Sequence, residues 1–446
     1  MSGTSELPDT IVIDFGSAAI RAAVMTGGGS WLVTEPATGL PGWPAATHWD
    51  GEQLRVGTLA ERAHSADPDG YWSELTRCLT IDAAVAHGGR AFRPIDMVSA
   101  LLRALLAEAQ RRHGAAIDRA LLTVPARYRP GDRHRARLIS AAEAAGLGTV
   151  EVLPEPVAAA CAPDLAAGAL VLVCDLGAGS FDATLLQLAG EPEILDADSL
   201  DGTGREVDAR LEERIYLDAQ PWLGPLLAEA TRQPGAPAAT RLGIAFTDFI
   251  RRLKHQLSTA PVAQDTMLPD TPAYRLTREE LAGAVAPVLE RAVACCERLL
   301  YRYGAKPGDL TAVVLSGGGA RLPAVAPHLA AALGQPPYLL AEPELTVLYG
   351  AVRWLGRRGR PTVTPEPLAA GTVPLAFGIP GGTGRLVRWL VDPGQRYAPG
   401  AVLARVRLPS GALWDLTAAE SGRIDRVLVV PDTEVAADQW LALAIH

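Results

Sequence analysis

Three aspartates beside two glycine-containing turns are the residues best placed to do chemistry. Val171–Gly190, VLVCDLGAGSFDATLLQLAG, sets Asp175 at the end of an apolar run, a turn to Ser180, and Asp182 at the start of a second run. The pattern reads as a β-hairpin. Gly177 and Gly179 carry no Cβ where a backbone would approach a ligand closely, and Ser180 adds a hydroxyl beside exposed N–H groups, so the loop can hold a phosphate. With a nucleotide bound, Asp175 and Asp182 would face a hydrated Mg²⁺ or a water aimed at phosphorus. Taken alone, the stretch also fits an ordinary hairpin with a solvated acidic tip. A second copy tips the balance: Thr10–Met25, TIVIDFGSAAIRAAVM, places Asp14, Gly16 and Ser17 between two apolar runs about 160 residues earlier. Two such hairpins suggest a two-lobed protein clasping one nucleotide.

Composition supplies the frame that would hold them. A chain of 446 residues has room for two or three domains with a sizeable core. With 48% hydrophobic and 20% charged residues it reads as folded and soluble, and no apolar run approaches the roughly 18 residues of a membrane span. The polar start MSGTSELPDT lacks a signal-peptide pattern, so a cytoplasmic location is expected. The net charge of −9 argues against broad nucleic-acid binding. Cys78, Cys161, Cys174, Cys295 and Cys296 show no metal-ligand spacing and are expected as reduced thiols. Lysine occurs only at Lys254 and Lys306, which bears on two questions below.

In chain order, Gly51–Ala63 reads as a short strand and a helix, Tyr71–Leu79 as an amphipathic patch carrying Arg77, and Arg93–Arg112 as a helix whose apolar stripe is core. Ala120–Val124 reads as a strand ended by Pro125. A helix is expected from Pro130, Gly131 and Asp132 to Ala145, stopped by Gly146. A short strand, Val150–Leu153, leads to Glu155 and to Pro156 in the first turn of an alanine-rich helix.

LLTVPARYRPGDRHRARLISAAEAAGL followed by LPEPVAAA resembles the corresponding run of the DnaK-type heat-shock chaperones, within the actin, sugar-kinase and heat-shock ATPase superfamily. The two hairpins match as well. So do Ala312–Pro323, AVVLSGGGARLP, where the superfamily lays the adenosine, and Glu342–Val352, EPELTVLYGAV, which resembles the helix returning to the first lobe. The motifs stand in order over about residues 8 to 358. The resemblance implies an α/β, two-lobed actin-like ATPase fold with ATP and Mg²⁺ as cofactors. Lobe I would comprise residues 1–165 with the returning helix 342–358, and lobe II residues 166–341. Asp14 and Asp175 would hold the hydrated magnesium, while Asp182 and Glu155 would order water and the ion at the γ-phosphate. Gly16, Ser17, Ala178, Gly179 and Ser180 would line the phosphates. Arg251, Lys254, His255 and Ser258 would lie by the base and ribose, with Gly317, Gly318, Gly319 and Arg321 closing the other side.

Three departures qualify this. Ala18 stands where the family has a threonine in the first phosphate loop. The family's catalytic lysine has no lysine counterpart, and Arg77 is the basic residue of the matching patch; its planar fork differs from an ammonium, so slow hydrolysis is expected. The linker, residues 357–372, is basic and then proline-rich instead of leucine-rich and acidic. Pro125 and Arg133 match the family's proline switch and relay arginine, although Pro125 serves equally as a strand terminator.

Residues 373–446 are too few for a complete peptide-binding domain with a lid. PLAFGIPGGTGRLVRWL resembles the first strands of the chaperone β-sandwich. WLVDPGQRYAPGAVLARV and GRIDRVLVVPDTEVAADQWLALA share a rhythm similar to the halves of a biotinyl or lipoyl barrel-sandwich. A small all-β domain of either kind is expected. No lysine follows Lys306, so covalent biotin or lipoate is excluded. The reading that follows is an ATP-dependent chaperone-like protein acting on a protein or peptide client, with a co-chaperone or dedicated partner, and with neither nucleic acid nor membrane. A nucleotide-gated scaffold or regulator is the alternative, and a small-molecule kinase or a filament-forming actin relative has less support.

Overall fold

The computed structural model describes residues 8–79, 81–189, 192–232, 237–359, 372–380, 383–427, 429, 434–436 and 440–445. The chain divides into two compact units, Met1–Thr362 and Val363–His446.

The first unit is built on one sheet pattern used twice. In the first sheet the order is Thr149–Pro154, Arg119–Val124, Thr10–Phe15, Ala19–Thr26 and Gly29–Leu32, with Trp43–Pro44 added beside Ala19–Thr26. The second runs Tyr338–Leu339, Ala312–Ser316, Leu170–Leu176, Ser180–Leu188 and Pro192–Asp201. In both, the first three strands are parallel and the next two turn back antiparallel. The central strands are apolar on both faces because both are covered, which is why they read as continuous runs. Ile11, Ile13 and Phe15 pack outward with the helix Pro94–His113, and Leu172, Cys174 and Leu176 pack outward with the helices Thr203–Thr231 and Arg278–Tyr303. Val12, Leu121, Val171, Val173 and Val314 turn inward onto a shared core with the helices Glu155–Ala160 and Thr346–Gly359.

Those two helices touch closely because of one glycine. A Cβ on Gly350 would stand 1.8 Å from the Ala158 carbonyl oxygen, so the small residues of EPVAAA and VLYGAV are what let the backbones meet. Local signals set the other boundaries. The Arg133–Ala145 helix starts three residues later than Pro130, because the Asp132 side chain caps it by accepting from the His134 N–H at 2.7 Å; Gly146, at φ 111°, ends it. The amphipathic patch divides into a short strand, Tyr71–Trp72, and a helix, Leu75–Cys78. The returning helix continues to Gly359, so the first three residues expected as linker are helical, and residues 360–371 lie outside the described ones.

In the second unit the described strands form two four-stranded antiparallel sheets. One is ordered Thr372–Ala376, Trp440–Ile445, Gly422–Val427, Arg396–Tyr397, and the other Leu413–Thr417, Val402–Arg407, Thr383–Trp389, Glu434–Ala436. Leu386, Leu403, Val406, Ile424 and Leu441 are in their core. Among the described residues no helix is long and apolar enough to cross a membrane.

Candidate functional site

The repeated sheet places the two hairpin turns, Gly16–Ala18 and Gly177–Gly179, at equivalent points. They face each other: a Cβ on Gly179 would lie 3.6 Å from Ser17 Oγ. Cross-strand register puts Arg21 opposite Asp14 and Asp182 opposite Asp175. Each leading aspartate takes a hydrogen bond from a hydroxyl on the neighbouring parallel strand. Thr123 Oγ1 donates to Asp14 at 2.9 Å, and Ser316 Oγ donates to Asp175 at 2.9 Å. Ser180 Oγ donates to Asp182 at 2.6 Å, and Arg127 Nη1 donates to its other oxygen at 3.2 Å. Pro125, Glu155, Asp175, Asp182 and Ser316 line one narrow pocket.

Crowding of acids sets the electrostatics. Burial, then the charge of Asp182, pushes Asp175 up to about 7 against the Ser316 bond. Glu155 is raised well above the ordinary carboxylate range by burial and then by Asp14, Asp175 and Asp182, with Arg127 opposing. Burial also raises Asp14, against the charge of Arg21 and the Thr123 bond, and raises Asp182 against Ser180 and Arg127. Such a cluster favours a ligand that brings positive charge. Among the described residues no three His, Cys, Asp or Glu side chains converge tightly enough to ligate an ion directly.

Around this cluster the second turn is closed by the helix Thr203–Thr231, whose preceding Gly202 N–H donates to Gly179 O at 2.7 Å; a Cβ on Gly204 would stand 2.5 Å from Ala178 O. Gly317, at φ 86°, packs against the same hairpin, where a Cβ would lie 2.4 Å from Leu176 O. Gly318 and Gly319 continue into the turn Gly318–Arg321, and Arg321 pairs with Glu344, its Nε 2.8 Å from the carboxylate. Arg251, Lys254, His255 and Ser258 share the helix Pro237–Thr259. Lys254 binds Asp208 at 2.5 Å, Arg251 pairs with Asp248, and Ser258 Oγ donates to the Lys254 carbonyl. Burial, then the charges of Lys254, Arg251 and Arg321, pushes the His255 imidazole down.

Arg77 and Arg133 each pair with an acid outside the cluster. Arg77 pairs with Glu74 at 3.4 Å, a carboxylate that also takes Arg205 at 3.1 Å, and none of the four clustered acids is among its described contacts. It is Thr76 that turns to the first hairpin, donating to Ser17 Oγ at 3.4 Å. Arg133 pairs with Asp82, as does Arg137. Sequence reasoning missed Thr123, Ser316, Thr76, Arg21 and Arg127. A hydroxyl ending an apolar strand, as in LLTV and VVLS, was the available signal for the first two.

The mixed α/β architecture is consistent with the actin-like ATPase class. A family model described as Hsp70 protein matches residues 76–355, more than half of the chain, and the chain therefore belongs to the Hsp70 family, in general ATP-binding proteins of chaperone type. The match takes in the second hairpin, Glu155 and the glycine run; the first hairpin precedes it.

Proposed function

We propose that this protein binds one ATP with Mg²⁺ between its two hairpins, hydrolyses it slowly, and couples the nucleotide state to binding of a protein or peptide client. The observation that carries this is the repeated constellation: two equivalent turns facing each other, each with an aspartate held by a neighbouring-strand hydroxyl. Asp14 and Asp175 are assigned to the hydrated ion. Magnesium keeps most of its waters and takes one or two carboxylates plus phosphates, which suits acids that do not converge for direct ligation. The ion supplies charge neutralisation at the phosphates when bound. Glu155 and Asp182 orient water beside it, and Gly16, Ser17, Ala178, Gly179 and Ser180 contact the phosphates.

Slow turnover is supported by Arg77, whose charge is engaged by Glu74. That pair equally favours the second reading, a nucleotide-gated scaffold with little hydrolysis. The paired four-stranded sheets of the second unit support a small β-sandwich, of chaperone or barrel-sandwich type, as the client or partner module. Single-turnover ATP hydrolysis in Mg²⁺, with and without an unfolded polypeptide and with Asp175→Ala as the inactive control, tests the proposal. Stimulation by the polypeptide is the expected result. Tight ATP binding without stimulation would leave the scaffold reading in its place.

A further inference from the structure

The acidic cluster between the two hairpins is rich in carboxylates, and Arg77, the cation expected there, pairs with Glu74 instead. Arg77 is held by Glu74, and Arg127 donates to Asp182 while lying over the Tyr128 ring at 5.2 Å. Arg21 differs from both. It lies directly across the first hairpin from Asp14, and directly opposed residues project from the same face of a sheet. That face also carries Val12 and Ala23, which pack onto the core shared by the two sheets. Its guanidinium hangs over glycine backbone on both sides, with Nη1 4.0 Å from where a Cβ of Gly16 would stand and Nη2 4.0 Å from that of Gly42. It acts electrostatically on Asp14, Asp175, Glu342 and Glu344. Yet among the described residues it makes no hydrogen bond and no ion pair within 4.0 Å.

Arg21 is partly buried, and its donors have no partner among the described residues, so they are open to an anionic ligand. Its planar fork matches two oxygens of a phosphate, and the missing Cβ of Gly16 leaves the approach open. We propose that Arg21 binds the phosphate oxygens of the nucleotide, supplying from the first hairpin the positive charge that Arg77 does not. The inference rests on the nucleotide reading of the cleft.

Calorimetric titration of the full chain with ATP, ADP and adenosine in Mg²⁺ tests it, comparing wild type with Arg21→Gln and Arg21→Lys, and with Arg55→Gln as an exposed control. Arg21→Gln should weaken ATP binding by roughly tenfold or more, ADP less, and adenosine not at all, with partial recovery in Arg21→Lys. Unchanged adenosine affinity also reports that the variant is folded. ATP binding equal to wild type in Arg21→Gln would overturn the assignment while leaving the nucleotide site standing, as would an equal loss for all three ligands, which marks a structural role. A wild-type chain that binds none of the three would overturn the nucleotide reading itself, and this assignment with it.

Discussion

The leading aspartate of each hairpin takes its hydrogen bond from a hydroxyl more than a hundred residues away, Thr123 for Asp14 and Ser316 for Asp175. These bonds oppose the burial that raises both acids, and the balance has a consequence in pH. Asp175 is raised from 3.8 to about 7. An acid raised by folding stabilises the fold while neutral, so its contribution is complete below pH 3.8 and is lost as pH rises to about 7. In chelator and without nucleotide, the melting temperature of wild type should fall across that window relative to Asp175→Asn, which has no charge to gain. A difference between the two that stays flat with pH would contradict the assigned environment. Ser316→Ala should carry the window to higher pH, since it removes the bond that favours the charged form. Asp14, Asp175 and Asp182 were legible in the sequence because strand, acid and glycine turn are contiguous. Their hydroxyl partners were not, because only parallel strand pairing brings them near. The partner of Arg77 was not legible for a related reason: it is Glu74, in the left-handed region at φ 51°, whose carboxylate the distant Arg205 shares.

At the scale of elements, the helices Glu155–Ala160 and Thr346–Gly359 hold Glu155 in place through a contact that admits no side chain at Gly350. Gly350→Ala must push them apart and should cost about 1–3 kcal/mol, read as a lowered denaturation midpoint. Gly243 makes the contrast, since it lies within a helix with nothing within 4 Å of its would-be Cβ. Gly243→Ala should stabilise by roughly 0.4–1 kcal/mol. Equal effects at the two positions would mean that the helix contact is not close. The small-residue stretches were readable in the sequence, and so was the helix stop at Gly146, whereas the stop at Gly304 was not read. The start at Arg133 was misread, because the Asp132 cap outweighed the proline and glycine before it.

The two main sheets of the first unit repeat one topology: the same strand order, each with an aspartate near the end of its central strand before a tight turn, and a common core between them. The repeat of the hairpins was visible in the sequence, but that the parallel strands behind them also match depends on pairings of high sequence separation. In the proposed function the two turns act on one nucleotide. Equilibrium ATP binding in Mg²⁺ to wild type, Asp14→Asn, Asp175→Asn and the double variant tests it most directly. Expected are one ATP per chain, a loss of roughly tenfold or more in each single variant, and a double variant whose loss is not the sum of the two, because both aspartates would act on one bound ion. Independent, additive losses, or an Asp14→Asn variant that binds like wild type, would contradict it.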